Sequence, residues 1–223
     1  MDPLRYELKL VAPVVALPSL CVLLRSHPEC FRQHYPPRQV NSIYFDTSDL
    51  QSYQANLIGN AWRNKLRLRW YGVANGRTLA RLELKHKNNM LGYKSVVRLT
   101  EPIELTQTWD KLQRHLRRLT PQAWHIPLRE ATQPTLLTKY FREYFISADG
   151  VIRVTLDYKL KAYDQRLSRS PNLRYALPAT NQMVVEIKAP AAAAERLEEA
   201  VTYLPFKRVR HSKYVNGLRA FLS

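Results

Sequence analysis

The segment LRLRWYG, residues 66–72, alternates leucine with arginine and then reaches two aromatics and a glycine. Period-two alternation belongs to a β-strand with unlike faces. Leu66, Leu68 and Trp70 therefore share one side and Arg67 and Arg69 the other. Like charges on one face of a strand repel, so this face needs either water or an anion against it.

The same alternation recurs along the chain. Strand patterns cover residues 4–11, 39–46, 63–72, 78–88, 92–100, 136–146, 150–161 and 181–189, with hairpin signals at Asn75-Gly76 and Asp149-Gly150. The order reads as mostly antiparallel. Three helices are expected. Residues 106–119 carry Trp109, Leu112, Leu116 and Leu119 at helical spacing, residues 191–204 are alanine-rich and follow Pro190, and residues 212–221 close the chain. No repeat or Gly/Ser linker divides the sequence, so residues 1–223 read as one domain. Cys21 and Cys30 lack a zinc spacing and read as reduced core thiols. The apolar run from Val11 to Leu24 is broken by Pro13 and Pro18 and is too short to span a bilayer. With no signal-peptide cleavage pattern after it, the expected location is the cytoplasm.

The charge balance narrows the function. Lys and Arg number 35 against 18 Asp and Glu, giving a net charge of +17, and the pI is near 10.1. Such an excess calls for a polyanionic partner. Charged faces recur at Arg5, Glu7 and Lys9; at Glu83, Lys85 and Lys87; at Tyr140 and Arg142; at Arg153, Thr155 and Asp157; and at Glu186 and Lys188. Two architectures can use them: a half-buried sheet with charges in water, or a closed barrel with charges inside and apolar faces outward beneath helices. The first is the ordinary case. The second is favoured by the shortage of acids to pair the cations, because two unit charges about 4 Å apart repel by about 4 kcal/mol at an effective dielectric of 20. Arginine forks and mobile lysines together suit a chain of phosphates. Glu7, Glu83 and Glu186 are oxygen donors suited to Mg²⁺ or Mn²⁺, with a plain salt bridge as the other reading of each.

The motifs KLRLRWYG (65–72), LELKHK (82–87), GYKSVV (92–97), KYFREYF (139–145), VIRVTLD (151–157), VVEIK (184–188) and RHSKY (210–214), together with RYELK (5–9) and YFDT (44–47), stand in an order that resembles the VTC domain, the polyphosphate polymerase module of the vacuolar transporter chaperone family. The resemblance implies an α+β triphosphate tunnel fold: a closed eight-stranded antiparallel β-barrel with a basic lumen, flanked by helices. It implies transfer of the terminal phosphate of ATP to a growing polyphosphate chain, with Mn²⁺ or Mg²⁺. By motif, Lys9, Arg67, Arg69, Lys85, Lys94, Arg142 and Arg153 would line the phosphate path and Glu186 would ligate the metal. Arg210, Ser212 and Lys213 would hold phosphates near the growing-chain side, and Tyr140 would lie near the nucleotide. Pyrophosphate and triphosphate join ATP and polyphosphate as expected ligands. Nucleic acid is not expected, since Trp70 falls on an apolar face. The regulatory SPX domain and membrane helices of eukaryotic relatives are not seen, so any membrane partner is expected to be a separate chain.

Two other readings stay open. Tunnel-fold triphosphatases typically begin with E-x-E-x-K, and here Arg5 occupies the first glutamate's place in RYELK. A catalytically silent polyphosphate binder would keep the basic lining without turnover. No P-loop, Gly-rich dinucleotide loop or Ser/His/Asp arrangement is present. His86 and His211 sit among cations and read as peripheral histidines.

Overall fold

The computed structural model describes residues 5–73, 76–88 and 91–222. Eight long antiparallel strands form the main sheet: β1 (Arg5–Pro13), β2 (Arg32–Asp46), β3 (Trp62–Tyr71), β5 (Arg81–Asn88), β6 (Leu91–Arg98), β8 (Gln133–Ile146), β9 (Arg153–Asp164) and β10 (Gln182–Pro190). A separate two-stranded piece pairs β4 (Arg77–Thr78) with β7 (Ile103–Glu104). The main order is β1-β10-β9-β8-β2-β3-β5-β6, and the sheet closes as a barrel where β6 returns to β1 at one residue pair, Gly92 with Arg5. Leu4 and Asn75, the start of the first expected strand and half of the first hairpin signal, lie outside the described residues.

Six helices cover the outside: α1 (Leu17–Ser26), α2 (Gln51–Leu57), α3 (Trp109–Leu119), α4 (His125–Glu130), α5 (Ala194–Thr202) and α6 (Lys213–Arg219). Their apolar sides meet the outward leucines and valines of the strands, so the hydrophobic core lies between barrel wall and helices. Leu66, Leu68, Trp70 and Leu82 pack with Trp109, Leu112 and Leu116 of α3. Leu8, Leu10, Val154, Leu156, Val185 and Ile187 pack with Leu20 and Leu24 of α1 and with Leu197 and Ala200 of α5. Burying each such side chain contributes about 1.5–3 kcal/mol.

The turn between β8 and β9 shows why its residues are there. Gly150 adopts φ +79°, a left-handed conformation that costs glycine least, and its N–H donates to the Ser147 carbonyl at 2.9 Å. The Ser147 hydroxyl in turn donates to Asp149 at 2.6 Å. Two expectations need correction. Neither cysteine is fully buried: Cys21 packs at the edge of the core and Cys30 is exposed in a left-handed conformation. α1 also forms inside the run that its prolines seemed to break, because Pro18 stands in the first helical turn, where no N–H partner is lost.

Candidate functional site

Alternating residues from all eight long strands surround a cavity of about 310 Å³, joined by Lys213 and Tyr214 of α6. Thirteen lysines and arginines line it, against two glutamates, Glu7 and Glu186. Register explains the convergence. Arg67 and Arg69 of β3 sit opposite Tyr44 and Ser42 of β2, and Arg142 of β8 sits opposite Asp157 of β9. A one-residue slip would turn each of these side chains outward.

The cations have more partners than the sequence suggested. Glu83, 0% exposed behind the lining, bonds Arg67 at 2.6 and 2.8 Å, meets Arg81 at 2.6 Å and lies 3.7 Å from Arg69. Asp157, 1% exposed, takes both sides of the Arg142 fork at 2.5 and 2.6 Å and Lys213 at 2.5 Å. Glu186 faces Lys188 at 2.7 Å, Lys213 at 2.9 Å, Arg142 at 3.4 Å and Lys9 at 3.8 Å. Glu7 holds Lys9 and Lys85, each at 3.1 Å. The expected shortage of acids was therefore an error of the strand-by-strand reading: two buried carboxylates serve several cations each. Lys94 and Arg153 line the cavity with no carboxylate partner among the described residues.

Charge shifts follow this pattern. Burial pushes the Glu83 carboxyl up, but Arg67, Arg69 and Arg81 outweigh it and hold it well below the usual carboxylate range. Burial likewise opposes the ionised Glu186, and the four cations around it win. Lys65 differs. Burial and then Lys85, Lys9, Arg63 and Arg67 push its ammonium well below the ordinary lysine value, and its Nζ donates to the Ser212 hydroxyl at 3.0 Å. For Lys85, Glu7 pulls upward, but burial together with Lys9 and Lys188 leaves it lowered to about 8.

The motif residues separate into two places. Lys9, Arg67, Arg69, Lys85, Lys94, Arg142, Arg153, Tyr140, Glu186 and Lys213 line the first cavity. Arg210 and Ser212 instead line a second cavity of about 680 Å³, which shares Glu7, Lys9, Lys65, Lys85 and Lys87 with the first and adds Arg63, Arg208 and Arg219. Tyr140 is 1% exposed, accepts from Arg69 at 3.3 Å and has Lys213 and Arg142 near its ring, so it presents no free face to a base. Among residues the motifs did not single out, Asp46 of YFDT accepts from the backbone of Thr47, Ser52 and Tyr53 and from the Tyr214 hydroxyl at 2.5 Å. It ties α2 to α6 and so fixes Ser212, which caps α6, and Lys213 beside it. His86 stacks on Tyr93 and bonds Asn64, and burial pushes the His211 ring down to about 4.

A metal was tested against this donor set. Among the described residues no three His, Cys, Asp or Glu side chains form a metal-binding group. Glu186 and Glu7 share Lys9 and Lys188 as neighbours, which brings two carboxylates to one part of the wall. Two carboxylates completed by substrate phosphates is a common Mg²⁺ arrangement. These residues fit a divalent ion that arrives with phosphate.

Barrel order and helical covering place the chain in a fold class shared with solved structures. It is similar to a candidate adenylyl cyclase from Hippeastrum described as having a dominant triphosphatase activity, with TM-score 0.56 and 15% identity over 98% of this chain and 96% of that one. It is also similar to a candidate adenylate cyclase from Vibrio parahaemolyticus, with TM-score 0.54 and 14% identity over 95% and 97% of the two chains. Among curated proteins no sequence match was found. The family model described as the VTC domain matches residues 6–222, and the chain belongs to that family. No helix among the described residues is long and apolar enough to cross a membrane.

Proposed function

We propose that this chain is a polyphosphate polymerase, acting as one tunnel domain in the cytoplasm. It transfers the γ-phosphoryl group of ATP to the terminal oxygen of an inorganic polyphosphate chain. The observation that carries the reading is the convergence of thirteen lysines and arginines on one cavity that shares five lining residues with a second basic cavity beside Ser212. Arg67, Arg69 and Arg142 hold the donor phosphates with planar forks already oriented by Glu83 and Asp157. Lys213 and Lys9, with Ser212 and Arg210 in the adjoining cavity, hold the acceptor. A terminal oxygen of the acceptor attacks the γ-phosphorus, the bond to the ADP oxygen breaks, and ADP leaves. The loose transition state of phosphoryl transfer asks for positioning and charge neutralisation and needs no protein nucleophile. Glu186, with Glu7 beside it, would hold Mn²⁺ or Mg²⁺, which would supply positive charge to neutralise the phosphates.

Purified protein incubated with ATP and Mn²⁺, with and without pyrophosphate, tests this on a gel stained for polyphosphate. A ladder is expected, absent from Glu186→Ala and Arg69→Ala proteins whose circular dichroism matches the parent. Orthophosphate released from triphosphate without a ladder would make the chain a hydrolase, the activity described for the Hippeastrum protein of similar fold. ATP left intact would make it a polyphosphate-binding module.

A further inference from the structure

Between α2 and β3 the chain leaves a group of apolar side chains in water. Residues 57–62 read LIGNAW and every one is exposed, Leu57 at 51% and Ile58 and Trp62 each at 73%. Single exposed apolar residues are ordinary, but several together mark an interaction site. Cations stand beside them. Leu57 and Gly59 line the second cavity together with Arg63, Lys87, Arg208, Arg210 and Arg219. Gly59 turns the chain at φ +79°, and a Cβ there would stand 3.9 Å from an Arg210 guanidinium nitrogen. Arg208 pairs with Glu198 at 3.0 Å, whereas Arg63, Lys87, Arg210 and Arg219 have no carboxylate partner among the described residues. Glu7, the one carboxylate among the described residues that line this cavity, is held by Lys9 and Lys85.

Apolar tips beside unpaired charges of one sign match a surface that is apolar within and anionic at its face. Tryptophan settles at the boundary of lipid and water, and aliphatic side chains enter the edge of the acyl region. Each Lys or Arg close to an anionic leaflet strengthens binding about fivefold. We infer that Leu57, Ile58 and Trp62, with Arg63, Arg210 and Arg219 beside them, form a docking surface for an anionic lipid bilayer. Mobile headgroups can meet cations dispersed over β3, β5 and α6 without a partner of matching shape. Docked in this way, the chain holds the mouth of the second cavity against the headgroups. The inference stands apart from the phosphate reading of the cavities.

Trp62 reports on its own docking, because the other three tryptophans, Trp70, Trp109 and Trp124, are buried in the core around α3. Vesicles of phosphatidylcholine mixed equally with phosphatidylserine should sediment with the protein and shift Trp62 emission to the blue, and acyl chains brominated near the headgroup should quench it. Phosphatidylcholine alone should bind at least about tenfold more weakly. Ile58→Ser and Trp62→Ser should each weaken binding to the mixed vesicles about tenfold, with circular dichroism unchanged. Binding that neither quenches Trp62 nor responds to Ile58→Ser would reduce to attraction by the net charge of +17 and would overturn the docking surface. Equal binding to both vesicles, no binding to either, or self-association in sedimentation velocity that Trp62→Ser abolishes without any vesicle binding would overturn it too.

Discussion

Glu83 shows how one residue can set a site without touching its ligand. Fully buried and shared by Arg67, Arg69 and Arg81, it holds these guanidinium groups apart and in place. Removing one partner of a buried ion pair typically costs about 3–5 kcal/mol, because the other charge stays behind uncompensated. Glu83→Gln should lose stability of that order in urea unfolding, and triphosphate should restore more stability to it than to the parent. A variant as stable as the parent would refute the shared-anchor role. Lys85 gives a pH signature. Its value in the folded protein is about 8, below the ordinary 10.5, so between those limits the folded state binds fewer protons than the unfolded one. This group's contribution to stability therefore rises with pH across that window. Anion binding acts the other way: a bound phosphate favours the protonated lysine, so affinity should fall as pH rises above about 8. Titrations in buffers of different ionisation enthalpy should show proton uptake at pH 8.5, and Lys85→Arg, always charged, should reduce it. That Arg67 and Arg69 share one face was legible from alternation; that this face turns inward came from the charge balance and the family resemblance. Glu83 was visible as an acid on the same face, but the number of cations it serves depends on three strands meeting, which no single strand reveals.

At the level of elements, strand patterning located each of the eight long strands, although it missed the first seven residues of β2, while helical spacing located α3, alanine enrichment after Pro190 located α5, and the closing segment located α6. The short α2 and α4 escaped because they are seven and six residues long, too few turns for an apolar stripe to repeat. α2 depends instead on a distant contact: Asp46 caps its first turn and holds Tyr214 of α6. The YFDT motif thus matters to the site through helix placement, and its sequence carries no sign of the partner 168 residues away. α3 makes the inverted arrangement testable. Leu112 is 0% exposed and packs on the outer face of the wall, against the leucines that alternate with Arg67 and Arg69. Leu112→Ala should cost about 2–5 kcal/mol of stability. Calorimetry below the unfolding transition should find its triphosphate affinity unchanged, and a large loss of affinity would mean that α3 faces the ligand.

For the whole molecule, a net charge of +17 and the cations of two cavities that share lining residues predict that anion binding is a stability effect. Triphosphate at about 100 times its dissociation constant adds about 2.7 kcal/mol, which for a protein of this size is a rise of about 5–10 °C in Tm. Thermal scans at low salt should show that rise, reduced at high salt and lost when Arg67 and Arg69 are both replaced by Ala; no shift in the parent would remove the basis for a phosphate-binding cavity. The four carboxylates behind and among the cations add a property that a bare positive surface lacks. Glu7 and Glu186 behave like the resident ions on an exchange resin, except that they are covalently fixed to it. On the proposed reading, an arriving phosphate chain trades places with Glu7 and Glu186, which share the cavity wall with the cations, while Glu83 and Asp157 stay behind the lining and keep the sites spaced and oriented. Loading and elution then become nearly balanced steps, as a column requires if it is to hold a polyanion and still let it move.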